Sequence, residues 1–214
     1  EDTTLWLTAR QIDDCTVYSA CLSRLPSDRT LDEFQQRLPV CEQSRIARFL
    51  RVADRQRSLV GLYLLDYAVR NAGLTWNWDS FTRTATGRPI MQPSGGDMYD
   101  GNISHSGDFV VCAIGPKPLG IDIEQFRDLE ISEFRRYLPP AIYDRIFTAA
   151  TPVNEFFRWW TRIESVLKAD GRGLCDELSE LQFSESNIIL DNHRWHWHDC
   201  DIAPNYLCSL AVAN

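Results

Sequence analysis

Two carboxylates stand two positions apart in PLGIDIE, residues 118–124, where Asp122 and Glu124 alternate with Ile121 and Ile123. That is the period of a strand with one apolar face. Successive side chains of a strand leave opposite sides, so both acids leave the same side, a few ångströms apart. Like charges that close raise each other's pKa unless a cation lies between them. Further on, FFRWWTRIESVLKADGRGL reads as a helix with Glu164 and Lys168 on one face beside Trp160, while Trp159, Ile163, Val166 and Leu167 supply apolar surface. A Glu brought from this helix to the strand would complete a set of hard oxygen ligands. Such a set suits Mg²⁺, which binds one or two carboxylates, waters and phosphate oxygens. The same residues also read as solvated edge acids and a helical Glu–Lys pair contributing about 0.2–0.5 kcal/mol.

Three further patterns could carry chemistry. GNISHSG, residues 101–107, presents hydroxyls and backbone donors beside His105, or is simply a strand end with a surface histidine. Arg45, Arg48, Arg51 and Arg55 fall largely along one side of a helix if that helix is continuous, with Arg57 off the stripe. Guanidinium forks suit phosphate, though a charge run is also an ordinary solvated face. HRWHWHDC places His196, His198 and Cys200 on one face of a strand, with His193 before them. Trp195 and Trp197 explain that run as an amphipathic strand, and the spacing fits no common zinc signature, so it reads as structural.

The elements that must position these groups follow from period and punctuation. TLWLTA reads as a short strand, followed by an amphipathic segment through Ala20–Leu25. LDEFQQRLP and residues 41–74 read as helices, the latter with a possible break at Ala53–Gln56 and a stop at Gly73. Residues 77–91 alternate around a Gly-Arg-Pro turn, and PSGGDMYDGN is loop. ISHSGDFVVCAIG and LGIDIE read as neighbouring strands joined by the turn Gly115–Pro118. Helices are expected over 131–138, 140–148 and from Pro152, then strands in SNIILDN, HRWHWHDCDI and NYLCSLAVAN. Helix and strand are mixed in both halves, an α+β pattern with a seam near residues 115–118, giving halves 1–115 and 116–214.

Bulk properties narrow the classes. The 214 residues suffice for one large domain or two small ones, and a formal net charge of −8 argues against a nucleic-acid binder. No stretch approaches the apolar length of a membrane span, and EDTTLWLTARQ lacks the basic start and apolar core of a signal peptide. The chain begins without Met, which leaves room for trimming. Seven cysteines, an odd number with no Cys-x-x-Cys pair, point to a reducing cytoplasm.

Taken together, DRQRSLVG (54–61), TGRP (86–89), NISHS (102–106), GIDIE (120–124) and WTRIESVLKADGRGL (160–174) resemble the 4′-phosphopantetheinyl transferases of the larger, Sfp-like class. GIDIE followed by the W-x-x-x-E-x-x-x-K helix is the specific part; the first 40 residues carry little of the likeness. The resemblance implies two similar subdomains in a pseudo-twofold arrangement, each a small, mainly antiparallel sheet packed with helices, with coenzyme A in the cleft between them. It implies Mg²⁺ on Asp122, Glu124 and Glu164, which would be the cation the acid pair asks for. Ser104 and His105 correspond to residues near the coenzyme's 3′-phosphate, Arg45 and Arg57 to contacts at its nucleotide end. Lys168 corresponds to a phosphate-contacting lysine and Arg88 to the basic residue of a Gly-Lys-Pro turn. The implied reaction moves phosphopantetheine from coenzyme A to a serine of an acyl or peptidyl carrier protein and releases 3′,5′-ADP. Glu164 is the first choice of base, and Lys168, Arg57 and His105 would add donors to the phosphate charge.

Two departures from the family pattern stand out: Ile163 where most members have lysine, and Glu42 where some have a basic residue. A metal-dependent phosphohydrolase and a non-catalytic coenzyme or carrier-binding module are the competing readings. A monomer is implied, since both halves lie in one chain, and Arg24, Arg29, Arg135 and Arg136 are candidate contacts for an acidic carrier. On this reading Asp122→Ala and Glu164→Ala leave a folded, inactive protein and Lys168→Ala costs orders of magnitude in rate. Ile163→Lys would be tolerated or beneficial.

Overall fold

The computed structural model describes residues 6–25, 29–91, 99–172, 178, 181–184 and 186–214. The chain divides into two units, Glu1–Lys117 and Pro118–Asn214. Both are α+β, and every strand pairing described in them is antiparallel.

In the first unit, β1 (Leu7–Ile12), β2 (Cys15–Cys21), β5 (Asp100–Ser106) and β6 (Phe109–Gly115) form a sheet in the order β1-β2-β6-β5. Helices α1 (Arg29–Arg37), α2 (Val40–Ala47) and α3 (Val52–Asn71) accompany it, and β3 (Thr82–Arg83) pairs with β4 (Pro89–Ile90) across the Gly-Arg-Pro turn. The long α3 is apolar on most sides, with Leu59, Val60, Leu62, Leu64, Leu65, Ala68 and Val69 all buried in one core with Phe34 and Tyr18. It stops at Gly73, whose φ of 72° lets the Leu74 N–H reach back to the Val69 carbonyl at 3.1 Å.

Four sequence expectations change here. The segment leading into Ala20–Leu25 is the strand β2, followed by only a short 3₁₀ turn at Leu22–Arg24. The helical run breaks at residues 48–51, while 53–56 lie inside α3, so the arginine stripe is split between two helices. ISHSGDFVVCAIG is a hairpin turning at Gly107, whose φ is 53°, rather than one strand. Residues 93–98 of the expected loop lie outside the described residues, and β5 begins at Asp100.

In the second unit, β7 (Leu119–Gln125), β8 (Gln182–Phe183), β9 (Asn187–Leu190), β10 (His193–Asp199) and β11 (Tyr206–Ala213) form a sheet ordered β7-β11-β10-β9-β8. Thus β7 pairs with β11, not with β6 as the sequence suggested; its partner lies more than eighty residues away and only tertiary contacts could select it. Residues 131–138 give a 3₁₀ turn, Ile131–Phe134, in place of a helix. Helix α4 (Pro140–Phe147) precedes α5 (Pro152–Asp170), which begins with proline at a position where no N–H is needed and ends on Gly171 at φ 88°.

Gly120 explains how closely α5 lies on β7. A Cβ there would come within 2.1 Å of the Ser165 carbonyl oxygen and 2.4 Å of the Ala169 nitrogen, both backbone atoms that cannot swing aside. Gly120→Ala is therefore expected to lower stability by about 3 kcal/mol or more, at the upper end of overpacking costs. A thermal melt unchanged from the parent would contradict this packing.

Candidate active site

Because side chains alternate along a strand, the residues that share Gly120's side of β7 are Asp122 and Glu124, so both acids face α5. Leu119, Ile121 and Ile123 take the alternate positions and are buried. Asp122 is only 5% exposed, and its Oδ1 accepts a hydrogen bond from Lys168 Nζ at 2.6 Å. Glu124 is held by the Arg127 guanidinium at 2.9 Å. One α5 turn before Lys168, Glu164 is half-buried, and burial, the charge of Asp122 and the charge of Glu124 push its carboxyl up to about 7 although Lys168 pulls it down.

Two further ties fix the rotation of α5 over the sheet. Ser209, opposite Asp122 on β11, lies 2.9 Å from Thr161 Oγ1 and donates to Asp199 at 3.2 Å. Arg162 grips Asp199 with two hydrogen bonds, 3.0 and 2.6 Å, and its guanidinium lies over the Trp159 and Trp197 rings. Asp122, Ser209 and Asp199 thus form a polar row across three strands, each tied to a different residue of α5. Neither Gly120 nor this row was singled out by sequence reasoning; the Gly two positions before the first acid was the available signal.

The donor set suits a hard cation. Three carboxylates share a partly dry site, and burial first, then the charges of Asp122 and Glu124, raises the Glu164 carboxyl. As the side chains stand, no three His, Cys, Asp or Glu groups among the described residues are placed to hold a metal, the Lys168 ammonium being the positive charge on Asp122.

In the first unit the three candidate coenzyme contacts, Arg45, Arg57 and Arg88, are each already held by an acid. Arg45 donates to Glu42 at 2.9 Å and to Ser58 at 2.7 Å; Arg57 donates to Asp54 at 2.8 Å and to the Gly107 carbonyl at 2.9 Å. Arg88 pairs with Asp100 at the start of β5. Arg83, which the sequence reading passed over, grips Glu42 through two bonds of 2.8 and 2.9 Å and also reaches the Gly87 carbonyl. Burial would raise Glu42, but the Arg83 and Arg45 guanidiniums outweigh it and hold the carboxyl below its ordinary range. No spacing rule joins positions 42 and 83, so that clasp is invisible before folding. Ser104 is buried while the neighbouring His105 is exposed on the other side of β5, so these two do not share a face. On β10, Trp195 and Trp197 are buried and the His196 and His198 rings meet edge to face at 4.6 Å on the opposite side.

Comparison with known proteins matches both units. Residues 24–117 match the family described as 4′-phosphopantetheinyl transferase, N-terminal, and residues 118–211 match the 4′-phosphopantetheinyl transferase superfamily. A 4′-phosphopantetheinyl transferase of Bacillus subtilis is 32% identical over 162 residues, covering 74% of this chain and 71% of its own. One from Aneurinibacillus migulanus is 32% identical over 136 residues, 62% of this chain and 56% of its own. The human L-aminoadipate-semialdehyde dehydrogenase-phosphopantetheinyl transferase is 30% identical over 165 residues, 70% of this chain and 53% of its own.

Proposed function

The chain belongs to the 4′-phosphopantetheinyl transferases, and on that premise we propose that it moves the phosphopantetheine of coenzyme A onto a serine of an acyl or peptidyl carrier protein. The observation that carries this is the convergence of Asp122, Glu124, Glu164 and Lys168 where α5 lies against β7. Asp122, Glu124 and Glu164 would hold Mg²⁺, which when bound neutralises charge on the coenzyme's pyrophosphate.

The remaining steps belong to side chains. The serine Oγ attacks the β-phosphorus, the bond from that phosphorus to the bridging oxygen breaks, and 3′,5′-ADP leaves. Glu164, beside the site on α5, takes the serine proton as general base. Lys168, already aimed at Asp122 Oδ1, donates to the phosphate oxygens. Arg45, Arg57 and Arg88 receive the coenzyme's anionic groups through guanidiniums that Glu42, Asp54 and Asp100 hold in place, so little freedom is lost when a phosphate arrives. Ser104 and His105 add donors, from opposite sides of β5. On this reading the protein acts as a monomer in a reducing cytoplasm; the six described cysteines are free thiols. No helix among the described residues is long and apolar enough to cross a membrane.

Intact-protein mass spectrometry tests this. Apo carrier proteins of several pathway types are incubated with the protein, Mg²⁺ and coenzyme A. One phosphopantetheine gained on serine, abolished by EDTA, is the expected result. Hydrolysis of coenzyme A with no carrier modified would replace the reading with a phosphohydrolase, and binding without any turnover would replace it with a binding module.

A further inference from the structure

Close to the acid cluster stands an ion pair that the reaction as described does not use. Arg162 on α5 donates from Nε and Nη2 to the two carboxylate oxygens of Asp199 on β10, at 3.0 and 2.6 Å. A solvated surface pair contributes little, but this guanidinium is only 12% exposed. Its central carbon lies 5.0 Å from the centre of the Trp159 ring and 5.1 Å from that of Trp197. Two aromatic rings and a two-pronged fork leave the arginine one position. Trp159 is itself fixed, its Nε1 donating to Glu155 at 2.9 Å. The Asp199 carboxylate also accepts from Ser209 Oγ at 3.2 Å, and Ser209 Oγ lies 2.9 Å from Thr161 Oγ1. Thr161 and Ser209 are both buried, so water does not compete for these bonds. A single carboxylate on β10 therefore holds two consecutive residues of α5.

These bonds fix something that the apolar core does not. Apolar packing has no direction, whereas a hydrogen bond weakens steeply off its axis. Gly120 sets how closely α5 lies on β7; the Asp199 contacts set its rotation. Glu164 follows Arg162 by two residues, and Ser209 stands opposite Asp122 where β11 pairs with β7. Rotation of α5 thus decides where Glu164 and Lys168 point. A side-chain end about 6 Å from a helix axis moves about 1 Å for a rotation of about 10°, and a misplacement of about 1 Å costs about a hundredfold in rate. We propose that Arg162 and Asp199 are positioning residues for the transfer: a clamp that touches no substrate and holds Glu164 and Lys168 at their working angle to Asp122. That role rests on the transferase reading and adds to it two residues outside the acid cluster.

The test is steady-state kinetics with an apo carrier protein, Mg²⁺ and coenzyme A, at a temperature well below every melt. The proteins compared are the parent, Asp199→Ala, Asp199→Asn, Arg162→Lys and the double variant Asp199→Ala/Arg162→Lys. Asp199→Ala should lower kcat by about thirtyfold to a hundredfold, and Arg162→Lys, which keeps the charge and loses the fork, by about tenfold. The KM values for coenzyme A and for carrier should stay within about twofold of the parent's, since neither residue meets a substrate. Asp199→Asn keeps the shape and one acceptor oxygen, and should recover most of the rate that alanine loses. The double variant should be no slower than Asp199→Ala, because the contact that the lysine weakens is already gone. A lower melting temperature with kcat intact would overturn the proposal and make the pair a fastener of the fold alone. A rise in either KM with kcat intact would overturn it too, as would losses that multiply in the double variant. A parent inactive on every carrier strikes instead at the transferase reading, and the clamp's role falls with it.

Discussion

Glu164→Ala loses transfer activity by at least about a thousandfold, the expected cost of removing a group that serves both as base and as part of the acid cluster, and it does so without losing stability. The second half of that expectation follows from the site. Glu164's carboxyl stands at about 7 against an ordinary 4.5, because burial and the charges of Asp122 and Glu124 oppose its ionisation more than Lys168 favours it. The folded protein therefore binds more protons than the unfolded chain between those two values. This contribution to stability is complete below the unfolded value and is lost as pH rises through the folded one, at most about 3 kcal/mol by pH 8. Metal-free parent protein should melt at a lower temperature at pH 8 than at pH 5 for this reason, while Glu164→Ala should lack that component. Mg²⁺ at pH 8 should raise the parent's melting temperature and leave the variant's unchanged. Thermal melts at the two pH values, with and without Mg²⁺, read all of this, and turnover is read by mass spectrometry. Near-parental turnover in the variant would remove Glu164 as the base. A parent whose difference between the two pH values matches the variant's would remove it from the acid cluster.

How much of this could be read before folding depends on the range of the interaction. The period of two in PLGIDIE was enough to put Asp122 and Glu124 on one side of a strand, and the period of helix α5 was enough to bury Trp159, Ile163, Val166 and Leu167. Local spacing also offered Glu164–Lys168 as a helical pair, whereas the Lys168 ammonium bonds to Asp122, a residue 46 positions away. Pairing between distant segments has no sequence period, which is why β7 was matched to the wrong strand and Arg83 was missed. The strand β2 hid for a different reason: in CTVYSAC four consecutive residues, Val17 to Ala20, are buried, so neither alternation nor a helical stripe shows. The α2–α3 break has no Gly or Pro within residues 48–51 to announce it. It divides one arginine stripe between two helices with an exposed apolar turn between them.

Ile163→Lys, which family pattern alone favours, is expected to destabilise the second unit strongly rather than improve the enzyme. Ile163 is 0% exposed and belongs to the core formed with Phe156, Phe157, Val166 and Leu167. It is the neighbour of Glu164 in sequence, but adjacent residues on a helix point about 100° apart, and this one points inward. A lysine there must bury an ammonium without a partner or give up its proton, and in either form it loses the branched packing of isoleucine. Leaving an uncompensated charge in a core costs about 3–5 kcal/mol, which for a unit of this size should lower the melting temperature by more than about 10 °C. Ile163→Met, which keeps an apolar side chain of similar volume, should cost less than about 1.5 kcal/mol and retain turnover. The pair separates packing from charge: if both variants melt alike, or if the lysine variant melts near the parent and turns over faster, the side chain at 163 reaches the acid cluster instead of the core. The expected outcome is the opposite. This chain has taken the position into its hydrophobic interior, which leaves Glu164 and Lys168 as the base and phosphate donor of the proposed reaction.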